Sequence, residues 1–413
     1  MNKFKLSILT GALLSSSAAF AQITAITNAT VHTQTNQGVL ENATVVIEDG
    51  KIKAINPKSV NADITVDASG KILTPGLIGS MNHLGLIEVG AVSRSVDAYD
   101  KSGIEFDPSS AFNPRTSLIP YARKGGITQN VSVPSLPWGE SGVFMGLAFV
   151  ADLSGEFDSV TDRRTALIVD LGAVSGDASR GSAMQSFVKK LADQKKKLTS
   201  KKDKKKDKDP SSEEKLLTQV LRGELPVVAY ASRASQLLEL VALKEQYGLN
   251  LIISGGDDAV LVKEQLAKAE VPVIVSAVSN LPSGFDALHA HLGNAGELEK
   301  AGVKVILNVA GDGSHNVYQM RFDAGIAVAN GMTHDGALKA MTSNVADAFG
   351  IEGGKIAVGS RADVVLWTAD PFEFSTRIDQ VWINGESVTT ESRHDKLRER
   401  YTTDSNMPHG YTK

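Results

Sequence analysis

The sequence predicts an α/β protein whose middle region is flanked by a β-rich segment at each end. In the middle region, short apolar segments alternate with stretches of helical periodicity, a pattern that is typical of parallel βα units. The two terminal segments instead show the alternating apolar and polar residues of half-buried strands. An array of βα units of this length forms either a closed barrel or an open doubly wound sheet, and composition does not separate the two.

The first 21 residues have the order of charge, apolar core and small residues that is typical of a secretory signal peptide. Lys3 and Lys5 precede an apolar run over residues 6–14, and the small residues end at Ala21, directly before Gln22. The run is too short to cross a bilayer as a mature helix, which takes about 20 apolar residues. We therefore expect this segment to be removed, no transmembrane segment in the mature chain, and a periplasmic or secreted protein.

The composition limits how the chain can be stabilised. The 413 residues include no cysteine, so the protein has neither disulfides nor thiolate ligands. A chain of this length can bury a large core without cross-links. The formal charge is −4, and without Lys3 and Lys5 there remain 41 basic and 47 acidic residues, a net charge of −6.

Basic charge is concentrated in one segment. Between Lys195 and Lys208, nine lysines stand with two aspartates. We expect a solvated loop insertion over residues 195–209, because like charges at this density repel one another and leave little to bury. The alternative is a contact surface for anionic lipid headgroups or an acidic partner. No nucleic-acid partner is expected, since the segment lacks interleaved aromatic residues.

Two turn signals predict hairpins in the terminal segments. Asp49-Gly50 separates two apolar runs near the start of the chain, and Asn384-Gly385 does so near the end. These dipeptides favour the positive φ angles of two-residue hairpin turns. We expect terminal β-structure over residues 22–73 and 356–393.

Six apolar segments of the middle region predict strands, with helical stretches between them. Ala234–Tyr247 is predicted to be a helix because its apolar residues fall mostly on one side, and Asp258–Ala269 is predicted to be another. The predicted strands are Ile127–Val133, Ala166–Leu171, Pro226–Ala231, Leu249–Ile253, Pro272–Val275 and Val303–Val309.

Residues 74–83, TPGLIGSMNH, resemble the first barrel strand of the amidohydrolase superfamily, which runs Pro-Gly-Leu/Ile-Ile-Asp-x-His-x-His. Residues 354–367, GKIAVGSRADVVLW, are similar to the segment with which that family returns to its terminal sandwich. Further similarity, closest to the imidazolonepropionase-like members, lies in residues 111–115, 122–128, 321–332 and 337–346. The resemblance implies a (β/α)8-type (TIM) barrel over residues 74–355, with a small β-sandwich built from the N- and C-terminal segments. Residues 394–413 are then a C-terminal tail.

In that family the two histidines of the first strand hold a catalytic metal, and here the pattern is half kept. Gly79 stands at the position of the family's Asp, Met81 at its first His and His83 at its second. A thioether is a soft, uncharged donor that suits zinc and similar ions poorly. The first strand therefore lacks one of the two histidine ligands that the resemblance implies.

Later strands also lack the family's ligands. Where relatives tend to have a histidine at the strand end, this chain has Tyr230 and Ser232 on one strand and Ser254 on the next. The family's metal-binding Asp falls at Ala310 or Gly311. No bridging lysine or glutamate can be placed, so a binuclear metal site is not expected.

The remaining candidate site combines the first and last predicted strands. His83 and His315 are the candidate ligands of one divalent, zinc-like ion, and Asp312 is the candidate general base. The ends of the first and last strands are neighbours once a barrel closes, so these side chains can converge. For Asp312, which lies between two glycines, the alternative is a simple turn. The candidate substrate-binding residues are Tyr230, Arg233, Ser254 and Asn316.

Two functions are compatible with these observations. The first is an exported hydrolase of the amidohydrolase type that cleaves a carbon–nitrogen bond in a small amide, lactam or peptide through a reduced metal site. The second is a catalytically silent barrel that serves as a binding or assembly subunit, in a homo-oligomer or beside a paralogue partner. Fold alone does not decide between them, because function depends on the site.

Overall fold

In the computed structural model of the protein, the strands form two separate eight-stranded sheets. The structure describes residues 22–89, 95–137, 140, 142–172, 179–200, 209–309 and 313–403. The predicted signal peptide lies outside the described residues. No helix within these ranges is long and apolar enough to cross a membrane.

The strands follow one another in three groups along the chain. Five strands of the terminal sheet come first: β1 Thr24–His32, β2 Val39–Glu48, β3 Lys51–Ile55, β4 Ile64–Asp67 and β5 Ile72–Pro75. Eight strands of the barrel follow: β6 Leu77–Asn82, β7 Ile127–Ser132, β8 Phe144–Asp152, β9 Val160–Asp170, β10 Val227–Ala231, β11 Leu251–Gly255, β12 Val273–Ser276 and β13 Val305–Asn308. The chain then returns to the terminal sheet with β14 Val364–Trp367, β15 Ile378–Ile383 and β16 Glu386–Val388.

The helices connect or cover the strands of the barrel. In chain order they are α1 Leu118–Arg123, α2 Arg180–Thr199, α3 Ser212–Leu221, α4 Ala234–Tyr247, α5 Lys263–Lys268, α6 Asn294–Lys300, α7 Gly313–Asn316, α8 Met320–Ala329, α9 His334–Lys339, α10 Ser343–Phe349 and α11 Arg393–Thr402. The predicted helix over Ala234–Tyr247 is confirmed with the same bounds. It ends at Gly248, whose φ of 72° is the left-handed conformation that terminates many helices.

The start of the lysine-rich segment differs from the predicted loop. Helix α2 continues through residues 195–199, because two of its lysines have partners on neighbouring elements. Lys195 donates to the carbonyl oxygen of Gln246 at 3.0 Å, and its ammonium lies 4.9 Å from the centre of the Tyr247 ring. Lys197 pairs with Glu214 at 2.7 Å. Residues 201–208 lie outside the described part of the chain.

Both ends of the chain contribute to one terminal sheet. Its strand order is β16-β15-β14-β5-β1-β2-β3, and β4 pairs with residues 24–27 of β1, ahead of the residues of β1 that pair with β5. The two predicted hairpin turns are confirmed, because φ is positive at Asp49 and Gly50 (51° and 72°) and at Asn384 and Gly385 (51° and 81°). Strand β14 lies antiparallel to β5, so the C-terminal part of the chain completes the sheet begun by the N-terminal part.

The second sheet confirms the predicted barrel, with one reversed strand. Strands β6 to β13 stand side by side in chain order. All pairs are parallel except those of β8, which runs antiparallel to both β7 and β9. The sequence pattern did not predict β8, since eight of its nine residues are buried and no polar alternation marks it.

The barrel is closed by backbone hydrogen bonds to a segment that is not a strand. At one edge the N–H of Leu307 in β13 donates to the carbonyl oxygen of Ala340 at 3.0 Å. At the other edge the N–H of Ile78 in β6 donates to the carbonyl oxygen of Met341 at 2.8 Å. The turn between α9 and α10 therefore bridges the first and last strands.

Inside the barrel, an apolar layer is followed by a polar one. Inward-facing aliphatic residues form the apolar layer: Ile78, Ile168, Val228, Ile252, Ile274 and Ile306. Side chains two residues further along a strand point to the same side. On five of these strands that step reaches Asp170, Tyr230, Ser254, Ser276 and Asn308. The barrel thus becomes polar at the carboxyl ends of its strands, where the sites of such barrels lie.

A buried ionic network joins the barrel to the terminal sheet. Arg361 donates to Asp152 at 2.6 Å and to Asp363 at 3.0 Å. Asp363 also accepts from Gln129 of β7 and from the backbone N–H of Asn384, each at 2.6 Å. Burial raises the pKa of Asp363, although Arg361 beside it acts in the opposite direction.

Candidate active site

The segment predicted as the first barrel strand divides into two strands that belong to different sheets. Strand β5 ends at Pro75 in the terminal sheet, and β6 begins at Leu77 in the barrel. Gly76 lies between them, and a Cβ atom at this position would stand 2.0 Å from the hydroxyl oxygen of Thr128. The glycine therefore permits the close approach of β7 at the point where the chain enters the barrel.

Met81 occupies a β-bulge at the carboxyl end of β6. The pairing of β6 with β7 shifts between Ser80 and Asn82, which leaves Met81 as the extra residue. Its φ of 57° is in the left-handed region. Bulges of this kind redirect a side chain beside many active sites, and the Met81 side chain lines a pocket.

His83 is held by three neighbours. Its Nδ1 lies 2.7 Å from the carbonyl oxygen of Val133, and its backbone N–H donates to the Ser314 hydroxyl at 3.0 Å. The Tyr99 ring meets the imidazole edge-on, with the ring centres 5.6 Å apart. Since a carbonyl oxygen only accepts hydrogen bonds, Nδ1 carries the proton and the lone pair of the neutral ring is on Nε2.

The pocket lies at the carboxyl ends of the barrel strands. Its volume is about 370 Å³, and it is lined by Met81, His83, Pro134, Ser135, Met145, Asp170, Gly172, Arg180, Tyr230, Ala231, Ser232, Ser254, Gly255 and Asp286. Five of the residues singled out in the sequence thus come together, namely Met81, His83, Tyr230, Ser232 and Ser254. Volumes of this order suit a small organic ligand.

Tyr230 and Asp170 form the polar floor of the pocket. They are directly paired in the register of β9 and β10. Burial, and then the negative charge of Asp170, raise the pKa of the Tyr230 phenol. The phenol is therefore protonated at neutral pH and can donate a hydrogen bond to a ligand. Asp170 accepts from the backbone N–H of Gly172 at 3.0 Å, which fixes the carboxylate at the strand end.

Charged residues from two helices and a loop form the rim of the pocket. Arg180 is the first residue of α2, and Arg233 stands directly before α4. Both guanidinium groups donate to the carboxylate of Asp286, which lies in the loop between β12 and α6. Arg233, a predicted substrate-binding residue, therefore contacts Asp286, which lines the pocket, but does not line the pocket itself.

The remaining predicted site residues lie elsewhere or outside the described ranges. His315 and Asn316 are in the short helix α7, and neither lines the pocket. The Nε2 of His315 lies 3.2 Å from the carbonyl oxygen of Glu88, and the side-chain oxygen of Asn316 accepts from Gln319 at 3.4 Å. Asp312, the predicted general base, lies outside the described residues, so the His83, Asp312 and His315 site stays a prediction.

The pocket residues do not by themselves fit a hydrolytic zinc site. Such a site takes about three protein ligands, His or carboxylate, and leaves a position for water. The pocket offers the imidazole of His83, the carboxylate of Asp170 and the thioether of Met81 at its base. Over the ranges that the structure describes, no group of three or more His, Asp or Glu side chains is arranged to hold a metal ion.

The sequence patterns did not single out Asp170, Arg180 and Asp286 as pocket residues. Asp170 had a usable signal, because it is the first polar residue after four apolar residues at the end of a predicted strand. Arg180 and Asp286 had none. They are 106 positions apart in the chain and meet only because α2 and the loop before α6 lie at the same end of the barrel.

Comparisons with known proteins agree with this architecture. Residues 229–388 match the family model described as the amidohydrolase family. The crystal structure of an amidohydrolase from Thermotoga maritima MSB8 superposes with a TM-score of 0.78 and 24% identity, over 90% of this chain and 100% of that one. A zinc-bound adenosine deaminase from Xanthomonas campestris has a TM-score of 0.52 and 16% identity, over 89% of this chain and 94% of that one.

Similarity to a curated protein is local. A 5'-deoxyadenosine deaminase of Methanosarcina barkeri (strain Fusaro / DSM 804) is 47% identical over 49 residues, which are 12% of this chain and 11% of that protein. So short a match does not transfer an activity. The family model thus matches residues 229–388, and the fold of the chain is similar to that of an amidohydrolase over 90% of its length.

Proposed function

We propose that the protein is a hydrolase that cleaves a carbon–nitrogen bond in a small amide, lactam or peptide held in the pocket. The observation that carries the proposal is the polar layer at the carboxyl ends of the barrel strands, where His83, Asp170, Tyr230 and Ser254 surround one cavity. The names of the similar proteins, which include deaminases and an amidohydrolase, support a reaction of this class.

The described side chains suggest how such a substrate would react. Tyr230, a protonated phenol, would donate a hydrogen bond to the substrate carbonyl oxygen and stabilise the charge that develops there. The Nε2 of His83 would accept a proton from a water molecule as its oxygen attacks the carbonyl carbon. The same proton would then pass to the leaving nitrogen as the carbon–nitrogen bond breaks.

A site with a single divalent ion is the alternative to this route, and it stays a prediction. In that case His83 and His315 would be the ligands and Asp312 would replace His83 as the general base; a zinc-bound structural neighbour supports metal dependence in this fold. A bound ion of this kind would acidify a water molecule and polarise the carbonyl group. The described pocket residues do not supply the three donors that tight zinc binding needs.

Assays of the purified mature protein test the proposal. The substrates are acyl amino acids, lactams, dipeptides and 5′-deoxyadenosine, measured with and without a chelator. His83→Gln and Tyr230→Phe should each lower kcat/KM by about 100-fold, because each removes a group that acts in the transition state. Tyr401→Phe, an exposed position on α11, is the matched control and should leave kcat/KM unchanged. Turnover that survives both pocket variants would refute these roles.

A catalytically silent binding subunit is the second candidate. It is favoured by Met81, Ser232 and Ser254, which stand where the family resemblance implies histidines, and by the missing three-donor group in the described ranges. This function requires ligand binding or stable association without turnover. Calorimetry would then detect binding of the same compounds, or light scattering would show a stable oligomer, while no assay detects hydrolysis.

We also propose that the protein is exported, on the basis of its first 21 residues. The mature protein should begin at Gln22. Intact-mass measurement of the secreted or periplasmic fraction tests this, and a soluble protein whose mass includes Met1 would contradict it.

A further inference from the structure

The pocket rim contains a carboxylate that two arginines share. Asp286 is the acceptor for both Arg180 and Arg233, and it lines the pocket together with Arg180. The three residues come from different elements, namely α2, the start of α4 and the loop of residues 277–293. Two guanidinium groups directed at one carboxylate form an anion site of known chemistry, because the paired N–H groups of arginine match the two oxygens of a carboxylate.

Both arginines stand at the start of a helix, and this position adds to the positive charge at the pocket rim. Arg180 is the first residue of a 20-residue helix, and Arg233 stands at the start of a 14-residue helix. The amino-terminal ends of helices carry partial positive charge. Both helices therefore present their positive ends, as well as an arginine, to the same rim of the cavity.

The loop that supplies Asp286 is weakly held. Residues 280–285 are all exposed, and the apolar side chains of Leu281 and Phe285 are 80% and 87% exposed. Beside Asp286, Ala287 is buried, and His289 bonds to Asp258 at 2.7 Å. Ion pairs that are partly exposed to water contribute only about 0–1 kcal/mol each. A ligand can therefore displace the Asp286 carboxylate at little cost.

We propose that Arg180 and Arg233 bind the carboxylate of the substrate, and that Asp286 occupies this position until the substrate displaces it. The inference deepens the proposed function, on which it rests, by naming the substrate class: a small amide that carries a free carboxylate. The carboxylate lies at the rim, and the amide extends toward His83 and Tyr230 along the cavity of about 370 Å³.

Binding without turnover tests the inference. The probes are N-benzoylglycine and its neutral counterpart N-benzoylglycinamide, titrated by calorimetry into mature protein that carries His83→Gln, so that neither probe is hydrolysed. In this background Asp286→Asn should bind N-benzoylglycine about five- to tenfold more tightly than the protein with Asp286 retained, because the competing carboxylate is gone. The same change should leave the affinity for the neutral amide unaltered. Arg233→Gln should weaken binding of the carboxylate probe alone.

A matched variant checks that the effect belongs to the pocket rim. Asp107→Asn removes a similar ion pair, with Arg164 at 3.3 Å, that lies away from the pocket, and it should not alter binding. Unchanged carboxylate affinity in Asp286→Asn, or equal affinity for both probes, would overturn the inference. Tighter binding of inorganic phosphate than of the carboxylate would do the same. Hydrolysis of neutral amides without any preference for a carboxylate would overturn it while leaving the proposed function intact.

Discussion

At the scale of single residues, Met81 combines an unusual backbone with an unusual side chain. Its φ of 57° places it in a region that residues with long side chains seldom adopt, whereas His is among the residues enriched there. The bulge directs this side chain into the pocket beside His83. The backbone is thus suited to a histidine at this position, although the chain has methionine.

Met81→His should therefore create a metal site. An imidazole beside His83 adds a ligand on a fixed strand end, and ligands or their supporting partners typically change metal affinity by about 10–100-fold. We expect wild type to bind at most one divalent ion weakly, and the variant to bind zinc more tightly by that factor. Metal titration and elemental analysis measure both. The gain should disappear in the double variant with His83→Ala; stoichiometric tight metal in His83→Ala alone would contradict the assignment of His83.

We predict that the buried carboxyl group of Asp323, in α8, makes the free energy of unfolding depend on pH. Burial raises its pKa from an ordinary 3.8 to about 6. The pKa of Asp323 is higher in the folded state than in the unfolded state, so the protonated carboxyl group stabilises the fold. This stabilisation is fully present below about pH 4 and is lost as the pH rises through about 6. Asp323→Asn should therefore stabilise the protein by about 1–2 kcal/mol at pH 7.5, a figure reduced for partial solvent access, and by nothing at pH 4.

Urea unfolding at the two pH values measures this difference. Asp158→Asn, at an exposed position, is the control and should show no such dependence on pH. Equal effects of Asp323→Asn at both pH values would contradict burial as the cause of the raised pKa.

The location of a site residue could be predicted from the sequence where a motif covers several neighbouring positions. The pattern of residues 74–83 placed His83 and Met81 correctly at one strand end, because strand geometry fixes residues that are close in sequence. The rim was not predictable in this way. Asp286 meets Arg233 across 53 positions through a loop without periodicity, and only the folded chain defines that contact.

At the scale of elements, helix α2 ends inside the lysine-rich segment and so divides it into a helical part and a remainder. Its last turn, residues 195–199, is held by the contacts of Lys195 and Lys197 with neighbouring helices. Replacing residues 201–208 with a Gly-Ser linker of equal length should leave Tm within about 1 °C, since that stretch of lysines and aspartates has little apolar surface to bury.

Deletion of residues 195–209 should by contrast lower Tm by about 2–4 °C, equivalent to about 2–3 kcal/mol in a chain of this size. Differential scanning calorimetry compares the two variants. Equal Tm values for them would show that the last turn of α2 does not contribute to stability.

Elements with a local signal were predictable, and elements without one were not. The hairpins at Asp49-Gly50 and Asn384-Gly385 followed from dipeptides that tolerate positive φ. Strand β8 gave no such signal, because it is buried on both faces and the described residues that join it to β7 and β9 form no helix. Its reversed direction depends on pairings between strands, which no single segment encodes.

At the scale of the whole molecule, Arg361 holds the barrel and the terminal sheet together. Its loss would leave Asp152 and Asp363 buried without their cation, which typically costs about 3 kcal/mol. Arg361→Gln should therefore lower the free energy of unfolding by about that amount at pH 7.5. The loss should be smaller at pH 5, because burial already raises the pKa of Asp363 and protonation relieves the unpaired charge.

Equilibrium unfolding in urea at both pH values measures this effect. Arg115→Gln breaks a surface pair with Glu156 at 3.8 Å and is the matched control, with an expected change below about 0.5 kcal/mol. A loss for Arg361→Gln that is equally small would show that the network does not stabilise the junction.

The pairing of β14 with β5 also determines when the protein can fold. The buried indole N–H of Trp367 donates to the Thr74 hydroxyl at 2.9 Å, across a sequence separation of 293 residues. While the chain is being synthesised, β5 therefore has an open edge until residues 364–367 have emerged from the ribosome. Contacts of such long range form slowly, and an open edge can pair with the wrong strand in the meantime. Final assembly must wait until β14 is available, so a chaperone that covers the edge of β5 before then would raise the yield of native protein.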